Sequence, residues 1–197
     1  VGALALIQRH ALIAELEQES AALYGLASQR ADQHDAHLTA LSAIAVAGQG
    51  ERHDLFVDVA ATISRFYSRI DEVQLVPLDP QGEITGTEPL DPATADLVRS
   101  AARASDGSIV LLPHPGKPHH YMMVKRSPNS DAARYGLMLG IDARKLLGET
   151  TAFWSRPGVA LSLSLPDGHR LVGQGMPPET VRFSKALGSA SQPLLLQ

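Results

Sequence analysis

The feature that most constrains the fold lies at the start of the chain. Residues 3–47 hold no proline and a single isolated glycine, Gly25, amid Ala, Leu, Glu, Gln and Arg. These are good helix formers, and at 1.5 Å per residue about 45 of them make a rod roughly 65–70 Å long. Such a rod is longer than a small domain is wide, so part of it must project or pair with another chain. Leu12, Leu16, Leu23, Leu26, His37, Leu41 and Ile44 recur at three-, four- and seven-residue steps and predict one apolar stripe. Polar interruptions at Glu19, Arg30 and Gln33 argue against a continuous dry coiled coil. A dimer seam near the N-terminus, followed by packing on a sheet, is the expected arrangement.

Past the breaker Gly48-Gln49-Gly50, a second helix is expected over residues 54–69, with Phe56, Val59, Ile63 and Phe66 on one side. A strand–turn–strand pattern then appears twice. Residues 73–78 lead through Asp79-Pro80-Gln81-Gly82 into 83–87, and residues 159–165 lead through Pro166-Asp167-Gly168 into 169–172. Proline presets φ in such turns and glycine relieves their steric cost, so both read as hairpins. Their recurrence suggests two related modules in series.

Asp91-Pro92 reads as an N-cap followed by proline at N1, opening a helix to about residue 104. Strands are expected at 109–112, 120–126 and 134–141, with Asp142 capping a short helix that ends at Gly148. Short consecutive strands with tight connections favour an antiparallel sheet. The second module begins near Phe153-Trp154 and adds its hairpin and strands at 181–184 and 193–196. About 45 residues are too few for an independent core, so this module is incomplete or leans on the first. The expected fold class is therefore α+β: a long helix over residues 1–52 serving as a dimer and signalling rod, a module over 53–149 built on an antiparallel sheet, and a partial β-rich module over 150–197.

With 44% hydrophobic and 19% charged residues, the 197-residue chain has an ordinary globular composition. Its formal charge of −4, from 17 basic and 21 acidic side chains, is too mild to suggest a nucleic-acid partner, which would want a basic face. The absence of cysteine excludes disulfides and thiolate metal sites. No window reaches the roughly 18–20 apolar residues that span a bilayer.

The chain resembles the extracytoplasmic sensor domains of bacterial membrane receptors with the PAS-like (PDC, or Cache) fold, in the tandem form found on histidine kinases. The residues that carry the resemblance are 73–82 with their D-x-x-G turn, 120–126, and the run Ala133-Arg134-Tyr135-Gly136-Leu137-Met138-Leu139-Gly140-Ile141-Asp142. Phe153-Trp154 followed by 159–168 resembles the start of a membrane-proximal module. The resemblance implies a periplasmic domain of an inner-membrane protein, a transmembrane helix on each side, and a cytoplasmic kinase, diguanylate cyclase or chemotaxis transmitter. Amino-acid-binding members carry an Arg-x-Trp-Tyr-type run where this chain reads Ser64-Arg65-Phe66-Tyr67-Ser68-Arg69, which weakens amino-acid sensing.

Candidate binding residues concentrate in 114–126. By strand alternation Tyr121, Met123 and Lys125 share one face, and His120, Met122, Val124 and Arg126 the other. Lys125 with His119 or His120 and Tyr121 suits a carboxylate or phosphate through charge-assisted hydrogen bonds, and Arg134 and Tyr135 open the next strand toward the same cavity. His119, His120, Tyr121, Lys125, Arg134 and Tyr135 are thus the expected contacts of a small anionic or polar ligand, with Tyr121 and Tyr135 as core residues the competing reading.

Gly136 and Gly140 share a face and allow close approach of a helix or a ligand. His34 and His37, beside Asp32, or His114, His119 and His120 offer imidazoles for zinc, but neither set nominates a complete ligand shell. No metal or cofactor is expected. Catalysis is not expected either, since no G-x-S-x-G elbow and no P-loop occurs. Asp71 and Glu72, adjacent at a strand start, alternate across it and are not expected to act together. A chemoreceptor or diguanylate cyclase sensor, or a protein-binding module without a small ligand, are the alternatives that the residues leave open.

Overall fold

The computed structural model describes residues 1–47, 52–148 and 151–197. The expected break at Gly48-Gln49-Gly50 and the expected boundary between 149 and 150 lie outside the described residues. Helix α1 runs over Gly2–Val46 as one uninterrupted 45-residue rod. Helix α2 covers His53–Phe66, with Phe56, Ala60 and Ile63 buried.

The main sheet is antiparallel and contains β1 (Ile70–Pro77), β2 (Thr85–Gly86), β3 (Val110–Pro113), β4 (His120–Ser127) and β5 (Tyr135–Asp142). Their order is β2-β1-β5-β4-β3, so the first and last strands lie side by side. Helix α3 (Pro92–Ala104) connects β2 to β3, and α4 (Ala143–Leu146) follows β5. The second sheet, also antiparallel, has the order β7-β6-β9-β8, from β6 (Leu163–Ser164), β7 (Arg170–Val172), β8 (Lys185–Ala186) and β9 (Leu195–Leu196). A 3₁₀ turn over Ala152–Ser155 leads into it.

The two faces of the main sheet bury different clusters. Val73, Leu75, Tyr121, Met123, Leu137, Leu139 and Ile141 join the core beneath α1 and α2. Val76, Met122, Val124 and Met138 pack with Ala95, Val98 and Ala102 of α3. Gly136 is part of this second contact. A Cβ there would stand 3.0 Å from Val98 and 3.2 Å from Ala102, so its glycine lets α3 lie close to the sheet. Asp91 accepts hydrogen bonds from the Ala93 and Thr94 amides, and Pro92 opens α3 where its missing N–H costs nothing.

The buried line of α1 differs from the predicted stripe. It consists of Ser20, Leu23, Ala27, Ala31, His34, Leu38, Leu41 and Ala45, whereas Leu12 and Leu26 are exposed. The reason is that the rod meets its neighbours through small residues. Leu23 and Leu41 of the predicted stripe are buried as expected, but alanine, which carries little hydropathy signal and permits close approach, fills much of the rest of the line, and Leu12 and Leu26 fall outside it. The strands of the second module are also shorter than expected and shifted: Lys185–Ala186 replaces the strand predicted at 181–184. Its leucines, Leu163, Leu165, Leu171, Leu187, Leu194 and Leu196, join the same core as α1 and the main sheet. Polar clasps run along the rod as well. Arg156 pairs with Glu15 at 2.7 and 3.1 Å, Thr151 donates to Glu19, and the Gly188 amide donates to Ser28.

Candidate functional site

The main sheet carries a group of titratable side chains at one end of its α3 face. Strand alternation brings Glu72 and Gln74 onto the same face as Val76, and places His120 with Met122, and Asp142 with Gly140 and Met138. Between Ile70 and Glu72 the register against β5 slips, Ile70 pairing with Ile141 and Glu72 with Gly140. This bulge leaves Asp71 as an extra residue and turns it onto the face that Glu72 occupies. The sequence expectation that Asp71 and Glu72 point apart is corrected by it. A Cβ on Gly140 would meet Glu72 Cβ at 2.9 Å and Asp71 Oδ1 at 3.7 Å, so both carboxylates converge over that glycine.

Two linked groups result. In the first, His114 Nε2 lies 2.8 Å from Glu72 Oε1 and Lys117 Nζ lies 3.4 Å from the same oxygen. Lys117 also donates to Glu88 at 2.8 Å, and Gln74 donates to Glu72 at 3.2 Å and to the Glu88 carbonyl at 2.8 Å. The Glu72 side chain is only 2% exposed. Burial opposes its charge, yet the bonds from His114 and Gln74 and the Lys117 charge outweigh burial and hold its carboxyl below the usual range. Burial likewise opposes the charge of Lys117, but Glu88 and Glu72 raise it above an ordinary lysine. Glu72, Glu88, His114 and Lys117 line a hollow of about 440 Å³ with Leu90, Thr94, Leu97 and Gly116. One wall is the β3–β4 loop and the other the start of α3.

In the second group, His120 Nε2 lies 2.6 Å from Asp71 Oδ2, and His120 Nδ1 lies 2.8 Å from the Pro118 carbonyl. Asp142 caps α4 through the Arg144 amide and accepts from the Arg144 guanidinium with both oxygens at 3.2 Å. Burial opposes the Asp142 charge, but Arg144 and the cap hold the carboxyl low. The His114 and His120 rings, 6.4 Å apart between centroids, join the two groups.

The six residues expected from sequence are dispersed. His120 belongs to the second group. His119, at φ 64°, turns away and its Nδ1 meets the Leu171 carbonyl of β7 at 2.7 Å. Tyr121 is fully buried on the α1 face, where its hydroxyl donates to Gln192 Oε1 at 2.8 Å. Lys125 is half-buried on that same face, near the far end of β4. Arg134 and Tyr135 line a separate hollow at the other end of β5 with His53 and Pro77. The proposed histidine sets are not assembled either. His34 is spent on Gln192 and Arg69, and the His37 ring packs against Tyr67 at 4.6 Å. Sequence reasoning weighed Glu72 only to set it aside, and did not single out Glu88 or Lys117. The one signal that pointed there was the loop stretch from His114, since a strand pattern does not disclose a bulge.

A buried polar junction lies on the opposite face. Arg69 Nε donates to His34 Nε2 at 2.9 Å, which leaves His34 Nδ1 as the N–H that donates to Gln192 Oε1 at 2.8 Å. Gln192 in turn donates to the Ala31 carbonyl of α1. Burial drives the His34 pKa down to about 3, with smaller opposition from the Gln192 bond and support from the Arg69 charge. His34 is therefore a neutral tie between rod, sheet and second module.

No protein-family model matches the chain, and no curated protein sequence matches it.

Proposed function

We propose that this chain is the extracytoplasmic, ligand-sensing domain of a transmembrane sensor, a histidine kinase, with a PAS-like (PDC/Cache) fold. The observation that carries this reading is the hollow between α3 and the β3–β4 loop, where Glu72, Glu88, His114 and Lys117 converge from three chain segments. Buried charges with shifted pKa values lining a hollow are the usual mark of a candidate recognition site. The long rod against an antiparallel sheet, with a second small sheet on the same rod, supports the tandem form of that fold.

In place of the anionic ligand expected from sequence, the carboxylates of Glu72 and Glu88 in the hollow suit a small polar molecule bearing an ammonium group. Glu72 and Glu88 present carboxylate oxygens to it, and Lys117, which otherwise bridges them, swings out as it enters. Closure of the loop over the solute shifts His120 and its neighbour Tyr121. Tyr121 is bonded to Gln192, and Gln192 to α1, so the rod and the second module receive the movement. A ligand with higher affinity for the closed arrangement shifts the population between the two states.

No helix among the described residues is long and apolar enough to cross a membrane; the membrane anchors of this reading are encoded on either side of residues 1–197, and the flanking gene sequence checks them. The rod self-associates near its start, where Leu4, Leu6 and Ile7 are 62, 58 and 66% exposed. Leu4→Glu with Ile7→Glu leaves a monomer by sedimentation if that seam is real.

Thermal-shift titration with a panel of small amines and carboxylates tests the hollow. Saturation at 100 times Kd adds about 2.7 kcal/mol of stability, which raises Tm by roughly 5–10 °C in a chain of this size. The shift is lost in Glu72→Gln and kept in Lys125→Ala. Indifference to every amine and carboxylate overturns the small-ligand reading in favour of a protein partner.

A further inference from the structure

We infer that Asp71, His120 and Asp142 form a binding site for a first-row divalent cation of the zinc or cobalt type. The site lies at the end of the sheet where β1, β4 and β5 meet. It stands apart from the ammonium reading of the neighbouring hollow, because it uses different side chains and different chemistry.

The three residues offer one imidazole nitrogen and two carboxylate oxygens, all within 4.8 Å of one another. Imidazole with carboxylates suits borderline divalent cations. The ring of His120 is already oriented for the role. Its Nδ1–H is taken by the Pro118 carbonyl at 2.8 Å, which aims Nε2 at the carboxylates. Metal-bound imidazoles are held in this way, by a carbonyl or carboxylate on the other ring nitrogen. The bulge at Asp71 supplies the second ligand, since an unbroken strand would turn that side chain to the other face. Asp71 Oδ1 is buried without a hydrogen-bond partner, an acceptor to which the protein gives no donor.

Bonds of roughly 2.1 Å place ligand atoms about 3.0–4.2 Å apart. The His120–Asp71 pair at 2.6 Å has to open slightly and Asp142 to approach. Asp71 has the freedom to do so, because its side chain is 32% exposed, whereas His120 and Asp142 at 9 and 5% form the fixed part of the site. Three protein ligands leave open positions for water or for a group on a bound solute. Arg144 is the competitor: its guanidinium holds both oxygens of Asp142, and the cation takes one of them from it.

The test is calorimetric titration of chelator-treated protein with zinc chloride, together with visible absorption on adding cobalt chloride. One equivalent should bind with Kd in the micromolar range or tighter, and cobalt should give a visible band of low-symmetry coordination. His120→Gln and Asp71→Asn should each weaken binding at least tenfold with an unchanged far-ultraviolet circular dichroism spectrum. Arg144→Ala should tighten binding severalfold, a gain that a merely structural ion pair would not give. His114→Ala should leave the affinity unchanged. Binding weaker than millimolar, or affinity unaltered in both His120→Gln and Asp71→Asn, overturns the site. Loss on His114→Ala alone overturns it too and moves the cation to the Glu72 group. Amine binding, read separately through Glu72→Gln, succeeds or fails independently of these results.

Discussion

The Tyr121 hydroxyl donates to Gln192 Oε1 at 2.8 Å across 71 positions of the chain, and both side chains are fully buried. The same oxygen accepts from His34, so one amide ties the central sheet, the rod and the last strands of the second module. Buried polar groups with several partners cost little while all are satisfied and much when one is removed.

Gln192→Ala should therefore destabilise the protein by about 2–5 kcal/mol, because the Tyr121 hydroxyl and the His34 N–H both lose their acceptor. Tyr121→Phe removes a donor from an oxygen that keeps another, and should cost only about 0.5–1.5 kcal/mol. Urea unfolding of the two variants checks the order. Equal losses would mean that Gln192 does not hold the junction.

The same junction sets a pH dependence. His34 has a folded pKa of about 3 against 6.5 for the free side chain, so the unfolded chain binds the extra proton between these values. Stability is then unaffected by this group above pH 6.5, falls as pH drops below 6.5, and stops falling below about 3. The slope approaches 1.4 kcal/mol per pH unit within that window. Denaturant midpoints at pH 7 and 5 should separate in the wild type, and the separation should shrink in His34→Gln.

Two glycines should respond oppositely to alanine. Gly25 is in the rod with nothing within 4 Å of an added Cβ, and Gly25→Ala should stabilise by about 0.5–1 kcal/mol through helix propensity. At Gly140 the added Cβ would meet the Cβ of Glu72 at 2.9 Å, at the centre of the charged group. Gly140→Ala should cost about 1–3 kcal/mol and displace the Glu72 carboxylate. Thermal melts of both variants, with amine titration of the second, check this.

The cap of α3 is the simplest case. Asp91 Oδ2 accepts from the amides of Ala93 and Thr94 at 3.1 and 3.2 Å. Asp91→Ala should cost about 1 kcal/mol and Asp91→Asn much less, read by chemical denaturation. Since α3 forms one wall of the hollow, the alanine variant should also weaken amine binding.

Much of the secondary structure was legible because local rules decide it. Freedom from proline dictated the rod, Asp91-Pro92 the start of α3, Asp142 the start of α4, and the Pro/Asp/Gly turns the two hairpins. Alternation along 120–126 placed Tyr121 and His120 on opposite faces, as the structure has them. What the sequence could not convey is which side chains meet across the sheet. Register is a non-local property, and one inserted residue reverses every side chain beyond it. The slip at Asp71 therefore brought two carboxylates together that alternation had separated, and it did so beside His114 and His120 of a different hairpin.

The chain by itself determined a long helix, an antiparallel sheet and a second short β segment, because propensity, capping and turn chemistry act over a few residues. Only the tertiary structure decided which face of the rod is buried, since Ala27, Ala31 and Ala45 win that contact by being small rather than by being hydrophobic. It alone decided the charged cluster as well, since Glu72, His114 and His120 become neighbours only when β1, β4 and β5 lie in register.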